Sequence, residues 1–208
     1  METEPLQIRL AVRELVEFVL RRGSIDSRFS GFDRANEGSR IHRKLQKAAG
    51  DSYKAEVPFK AERKVDDVCY TLEGRADGVI TEPDGHFTID EIKTTGAPAE
   101  LLTADFNPLH WAQAKCYGAF LCQRESLPGV DIQITYYQVA TDEIIRHRRT
   151  FSAEALEDFL TDTLRLYTPW AHMEAAWRAT RNASLKALRF PFPAYRPGQY
   201  EMAGAVYR

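Results

Sequence analysis

The chain has 208 residues, 44% of them hydrophobic and 28% charged, enough to bury a sizeable core as one soluble globular domain with room for a small addition. A formal net charge of −2 gives no global signal for nucleic-acid binding and leaves that role to local patches. No apolar run is long enough to cross a membrane and METEPLQIRLAVRELVEF carries no signal-peptide pattern, so a cytoplasmic protein is expected.

The first predicted element is a helix. In LQIRLAVRELVEFVLRRGSID the apolar residues at 12, 15, 16 and 19 form a helical stripe that ends near Gly23. SRIHRKLQKAAG predicts a second short helix, stopped by Gly50. YKAEVPFKAER, VCYTLEGRADGVIT and the stretch from 86 to 95 predict strands. NPLHWAQAKCYGAFLCQRE predicts a well-capped helix: Asn107 suits the N-cap and Pro108 the first helical position, where its missing N–H is no loss. VDIQITYYQVA and EIIRHRRTF predict a hairpin around Thr141-Asp142-Glu143. A long helical region from Ser152 follows, which Pro169 is expected to kink or divide. The order α, α, β, β, β, α, β, β, α implies an α/β (α+β mixed) fold, a central mixed β-sheet flanked by helices. Cys69, Cys116 and Cys122 are an odd set without C-x-x-C and are expected to be reduced, partly buried thiols.

The hairpin GRADGVITEPDGHFTIDEIKTT carries charges where a core face belongs. Pro83-Asp84-Gly85 is a three-residue turn with a mechanism: Pro presets φ, Asp tolerates the next position, and Gly takes φ > 0. With that loop, paired residues sum to 168, so Asp77 falls opposite Glu91 and Arg75 opposite Lys93, unless the ladder ends there. Alternation puts Phe87, Ile89, Glu91 and Lys93 on one face and His86, Thr88, Asp90 and Ile92 on the other. Two carboxylates so placed repel unless a cation lies between them, and hard oxygen ligands suit Mg²⁺ or Mn²⁺. Lys93, on the same face, can reach such an ion's water or a substrate. An ion cluster at a sheet end is the plain alternative.

GRAD, then DEIK, then QAKCY, with GSRIH upstream, resembles the PD-(D/E)XK nuclease superfamily, in particular its RecB-like and CRISPR-associated exonuclease branch. The resemblance implies a restriction-endonuclease-like core and a metal-dependent DNA nuclease. It implies that His42, Asp77, Glu91 and the Ile92 backbone carbonyl hold Mg²⁺ or Mn²⁺, with Glu56 as support for a second ion. It implies that Lys93 positions water or stabilises the transition state, and that Gln113 and Tyr117, one helical turn apart, organise the site and contact DNA. His110 shares their helix face without a matching role. The chain has Glu91-Ile92-Lys93 where the branch often has Asp-Tyr-Lys, and three cysteines cannot supply the four that hold an iron–sulfur cluster in some relatives, so none is expected.

Local charge supports a DNA partner, single-stranded by that resemblance. Residues 40 to 64 hold eight bases, among them Arg40, Arg43 and Lys44, Arg75 adds another, and RHRR at 146 to 149 is a second run. FPFPAYRPGQYEMAGAVYR resembles the opening of a DinG/XPD-like helicase, which implies that Gln199 approaches adenine and that a helicase region follows. No Walker A pattern occurs, so no ATP hydrolysis is expected of these residues alone. The expected division is 1–189, a nuclease domain, and 190–208, a linker and helicase start. The other readings open at this stage are a catalytically weak nuclease-fold module that binds DNA, and a restriction or junction-resolving enzyme.

Overall fold

A computed structural model describes residues 4–21 and 32–207. In chain order the elements are β1 (Leu6–Ala11), α1 (Val12–Leu20), α2 (Phe32–Ala48), β2 (Tyr53–Val65), β3 (Val68–Thr81), β4 (Phe87–Thr95), a 3₁₀ turn (Ala99–Leu101), α3 (Pro108–Glu125), β5 (Gly129–Gln138), β6 (Ile144–Ser152), α4 (Ala153–Ala187) and α5 (Gln199–Tyr207). Strand β1 is a correction, because the helical stripe places its residues at the start of the first helix. Leu6, Ile8 and Leu10 alternate with outward Gln7, Arg9 and Ala11, and parallel pairing to β3 decides between the two periods. The helix begins only at Val12, where Val12, Leu15 and Val16 turn inward. Its expected end near Gly23 lies outside the described residues.

The six strands form one mixed sheet in the order β1-β3-β4-β5-β6, with β2 on β3's remaining edge. Strand β3 organises it. One edge of β3 pairs with β2 along nearly its full length. The opposite edge pairs with β1 in parallel over Val68–Glu73, then with β4 antiparallel over Gly78–Thr81. Gly74 to Asp77, the GRAD sequence, therefore has no strand partner on that side, and the sheet forks there.

The β3–β4 turn closes as the sequence predicts. Glu82 N–H donates to the His86 carbonyl at 2.8 Å, Gly85 N–H donates to the Glu82 carbonyl at 2.9 Å, and Gly85 takes φ 84°. Paired residues sum to 168, as in Val79↔Ile89 and Gly78↔Asp90. The ladder ends at Gly78↔Asp90, so Asp77 and Glu91 keep the predicted register without pairing, and Arg75 does not meet Lys93.

Helix α3 packs on β2 through β5 and on α1. Ten of its residues are buried, because an apolar sheet lies on one side and other helices on the next. Asn107 Oδ1 accepts from Leu109 N–H at 2.9 Å, Pro108 begins the helix, and Ser126 ends it in the left-handed region. The chain divides into two compact units, Met1–Pro169 and Trp170–Arg208. Pro169 does not divide α4, which continues to Ala187; Leu156, Leu160 and Leu164 bury the turns before it, and one missing backbone bond is tolerated. In the second unit Phe190 stacks on Tyr195 at 4.0 Å, Gly198 turns with φ 78°, and α5 starts. Gln199 Oε1 accepts from Arg196 N–H at 3.1 Å, which closes the turn before α5.

Candidate active site

The fork in the sheet sets the site. With no strand beside it, the Asp77 carboxylate turns to β4, where Oδ2 accepts from Ile92 N–H at 2.7 Å. Its Oδ1 lies 3.3 Å from His42 Nδ1, delivered by α2. The β2 ladder also lapses here: pairing holds at Ala55↔Gly78 and Val57↔Ala76 but skips Glu56 and Asp77. Glu56 sits at φ 53°, a left-handed backbone that a non-glycine residue adopts only when its surroundings impose it. Beside it stands Gln46, a residue with no sequence signal of its own. Its amide donates to Glu56 Oε1 and to the Asp77 carbonyl, each at 3.0 Å, in place of the lost ladder bond. Arg75 holds the other Glu56 oxygen at 2.7 Å. Glu56 and Arg75, expected as ion support and DNA contact, are thus paired with each other.

Glu91 is 1% exposed. Its Oε1 accepts from Lys93 Nζ at 2.5 Å, whereas Oε2 is buried without any hydrogen-bond partner. Burial pushes its pKa up to about 7; Lys93 opposes the rise and the Asp77 charge adds to it. Asp77 and His42 are both close enough to act on that carboxyl electrostatically. Lys93 remains partly exposed, with its ammonium at a cleft of about 520 Å³.

The cleft also takes Gly38, Ser39 and His42 from α2, Ile92 and Thr94 from β4, Asn107, Leu109, His110 and Gln113 from α3, and Arg13 and Glu17 from α1. Arg13, another residue without a sequence signal, is oriented by Glu17 at 2.8 Å, and that carboxylate raises its pKa. His110 is fixed as a neutral ring. Asn107 Oδ1 accepts from Leu109, so its amide group donates to His110 Nε2 at 3.1 Å, leaving Nδ1–H to donate to the Tyr136 hydroxyl at 3.0 Å. Burial, aided by Lys93, takes its pKa down to about 3.

Gln113 and Tyr117 share a helix face and part company in exposure. Gln113 borders the cleft, but Tyr117 is 2% exposed and lies parallel to Phe59 at 5.8 Å. The Tyr117 ring fills the space left by Gly74, where an added Cβ would stand 2.7 Å from the phenol oxygen. The phenol meets the Gln113 side chain and the Arg75 backbone, and burial raises its pKa. Tyr117 therefore plugs the fork from a buried position. Arg40, Arg43 and Lys44 are exposed on α2, with Lys44 5.6 Å from the Tyr137 ring. RHRR is not one patch: strand alternation sends Arg146 and Arg148 to one side and His147 and Arg149 to the other.

The donors present suit a divalent cation. They are two carboxylates and an imidazole, and one carboxylate oxygen, Glu91 Oε2, is buried with nothing to bond. Among the described residues, no three His, Cys, Asp or Glu side chains are already gathered in a coordination shell.

A mixed sheet flanked by helices carries Asp77, Glu91 and Lys93 at and beside its fork. Residues 5–189 match the family model of the PD-(D/E)XK nuclease superfamily, and the chain belongs to that superfamily. Among solved structures, the one titled "Crystal structure of SSO0001" matches over 80% of this chain and 77% of its own length, at 20% identity and a TM-score of 0.50, a likeness of fold alone. No curated protein matches the sequence. Among the described residues, no helix is long and apolar enough to cross a membrane.

Proposed function

We propose that this chain is a divalent-metal-dependent deoxyribonuclease that hydrolyses phosphodiester bonds. The observation that carries the reading is Glu91 Oε2, a buried oxygen left unbonded beside Lys93 and within electrostatic reach of Asp77 and His42. A folded protein retains such an atom where a ligand completes it. His42, Asp77 and Glu91 would hold Mg²⁺ or Mn²⁺, with the Ile92 carbonyl as a further donor; when bound, the ion neutralises charge on the scissile phosphate and eases deprotonation of water.

The chain's own residues supply the rest. Ile92 N–H holds Asp77 Oδ2, so the carboxylate keeps one orientation. Glu91 holds the Lys93 ammonium at the cleft, where it stabilises negative charge growing on the phosphate oxygens as water attacks phosphorus and the sugar oxygen leaves. Arg13 adds a second cation at the cleft wall, and Gln113 a neutral donor. His110 stays neutral and fixes the wall between them.

The test uses end-labelled and circular DNA, single- and double-stranded, with Mg²⁺, Mn²⁺ or EDTA, beside Asp77→Asn and Lys93→Ala. Metal-dependent cleavage lost in both variants supports the enzyme. Equal cleavage by wild type and Asp77→Asn sinks it, and DNA binding without cleavage favours a binding module.

We further infer that residues 1–189 are the nuclease part of a longer nuclease–helicase acting in DNA repair, recombination or defence, with 190–208 opening the helicase region. The aromatic–proline run, its Gly198 turn and α5 support this. The length of the native chain decides it: a native protein that ends at Arg208 rules the helicase out.

A further inference from the structure

A second cleft, of about 640 Å³, opens across the amino-terminal end of α3 from the first and shares Asn107 and Leu109 with it. Its volume is that of a small-ligand site, on the order of 300–1,000 Å³. Its walls combine rings and cations. Phe106 is 37% exposed and held edge-to-face on Tyr136 at 5.6 Å. Trp111 is anchored by its indole N–H, which donates to the Ala104 carbonyl at 2.7 Å, and the Arg149 guanidinium lies 4.7 Å from its ring centroid. The Lys115 ammonium sits 4.9 Å from the Phe151 centroid and 4.8 Å from that of Phe159.

Charge in this cleft is not balanced. No described carboxylate lies in ion-pair range of Lys115, although burial and Arg149 both disfavour its charged form. Ring faces compensate only part of that penalty. Arg149 pairs with Asp105, whose side chain is 86% exposed, and such a surface pair exchanges readily for another anion. Two cations among aromatic rings suit a ligand with a negative charge and a flat unsaturated face.

We propose that this cleft receives a nucleotide of single-stranded DNA, its base against Phe106 and its phosphate against Lys115 and Arg149. The proposal rests on the nuclease reading for what fills the neighbouring cleft: the same strand crosses the start of α3, with its scissile bond on the Lys93 side. A single strand is required because a base inside a duplex has both faces covered by its stacked neighbours.

The full 208-residue chain is titrated in EDTA with fluorescent dT₁₂, dT₃ and a blunt duplex, and affinity is followed by anisotropy against salt. Lys115→Met with Arg149→Gln removes both charges, nearly keeping the side-chain volume at 115 and shortening the side chain at 149. It should weaken dT₁₂ binding about tenfold and reduce the salt slope by about 0.7, the contribution of one single-strand phosphate contact. Phe106→Ala should weaken dT₁₂ about threefold and leave the duplex unchanged. Unchanged dT₁₂ affinity and slope in the double variant overturn the proposal, as does a wild type that binds no single strand. Should the variants misfold by thermal melt, wild-type protein crosslinked to 4-thiothymidine strands decides: adducts on Phe106 or Trp111 support the cleft, and adducts confined elsewhere overturn it. Failure of nuclease activity is scored separately, because none of these binding measurements requires cleavage.

Discussion

Strand β4 carries two adjacent carboxylates, Asp90 and Glu91, and its two faces treat them differently. Both are buried, at 4% and 1% exposure. Asp90 Oδ2 accepts from the Tyr53 hydroxyl at 3.0 Å, and Oδ1 accepts from Gln133 at 3.0 Å and from Thr135 at 2.6 Å. Glu91 has one partner, Lys93, and one idle oxygen. Burial alone thus does not mark a reactive carboxylate. A carboxylate whose oxygens are all satisfied from neighbouring strands ties the sheet together, while one left incomplete holds a place for a ligand.

The sharpest way to break this comparison is through cleavage. Asp77→Asn or Lys93→Ala should lower kcat on DNA by about 10³-fold or more, a loss of roughly 4 kcal/mol of transition-state stabilisation. Asp90→Asn should lower kcat by less than about tenfold; an equal loss would put both carboxylates in one functional set.

The second test is pH. The Glu91 pKa is raised to about 7 in the folded chain, against an ordinary 4.5. Between these values the native state binds the extra proton, so Glu91 lowers stability as pH rises from about 4.5 and the loss is complete above about 7. The amplitude is on the order of 3 kcal/mol, and Glu91→Gln should remove this fall, read as urea midpoints from pH 4 to 8.5. Mn²⁺ should offset it in the wild type, with a melting-temperature increase that grows with pH and is absent in Glu91→Gln.

Asp90→Asn should destabilise by about 2 kcal/mol at every pH from 6 to 8, because an amide N–H then meets a donor. The smallest effect is expected from Gln46→Met. It removes the bridge between Glu56 and the Asp77 carbonyl and should destabilise by about 1 kcal/mol in chemical denaturation.

Much of the site is legible in the sequence because one turn fixes it. Pro83-Asp84-Gly85 allows a single register, and alternation then sorts Glu91 and Lys93 from Asp90. What is not legible depends on neighbours distant in the chain. The donors to Asp90 come from β2 and β5, so only the sheet order reveals that it is satisfied. Gln46 is one polar residue on a polar helix until the lapse at Glu56 gives it a carbonyl to bond. Strand β1 is too short for its alternation to outweigh the helical stripe that follows; its pairing with β3 decides it. Tyr117 falls on the predicted helix face, but its burial follows from the missing side chain at Gly74.

The exchange of partners along β3 also bears on how far the protein can be shortened. Leu6–Ala11 is what covers the Val68–Glu73 half of that edge. A protein begun after Ala11 would present six consecutive residues of bare backbone beside the GRAD segment, an invitation to intermolecular strand addition. The amino-terminal strand, far from the acidic residues in sequence, thereby acts as a guard against self-association at the point where the sheet must stay open.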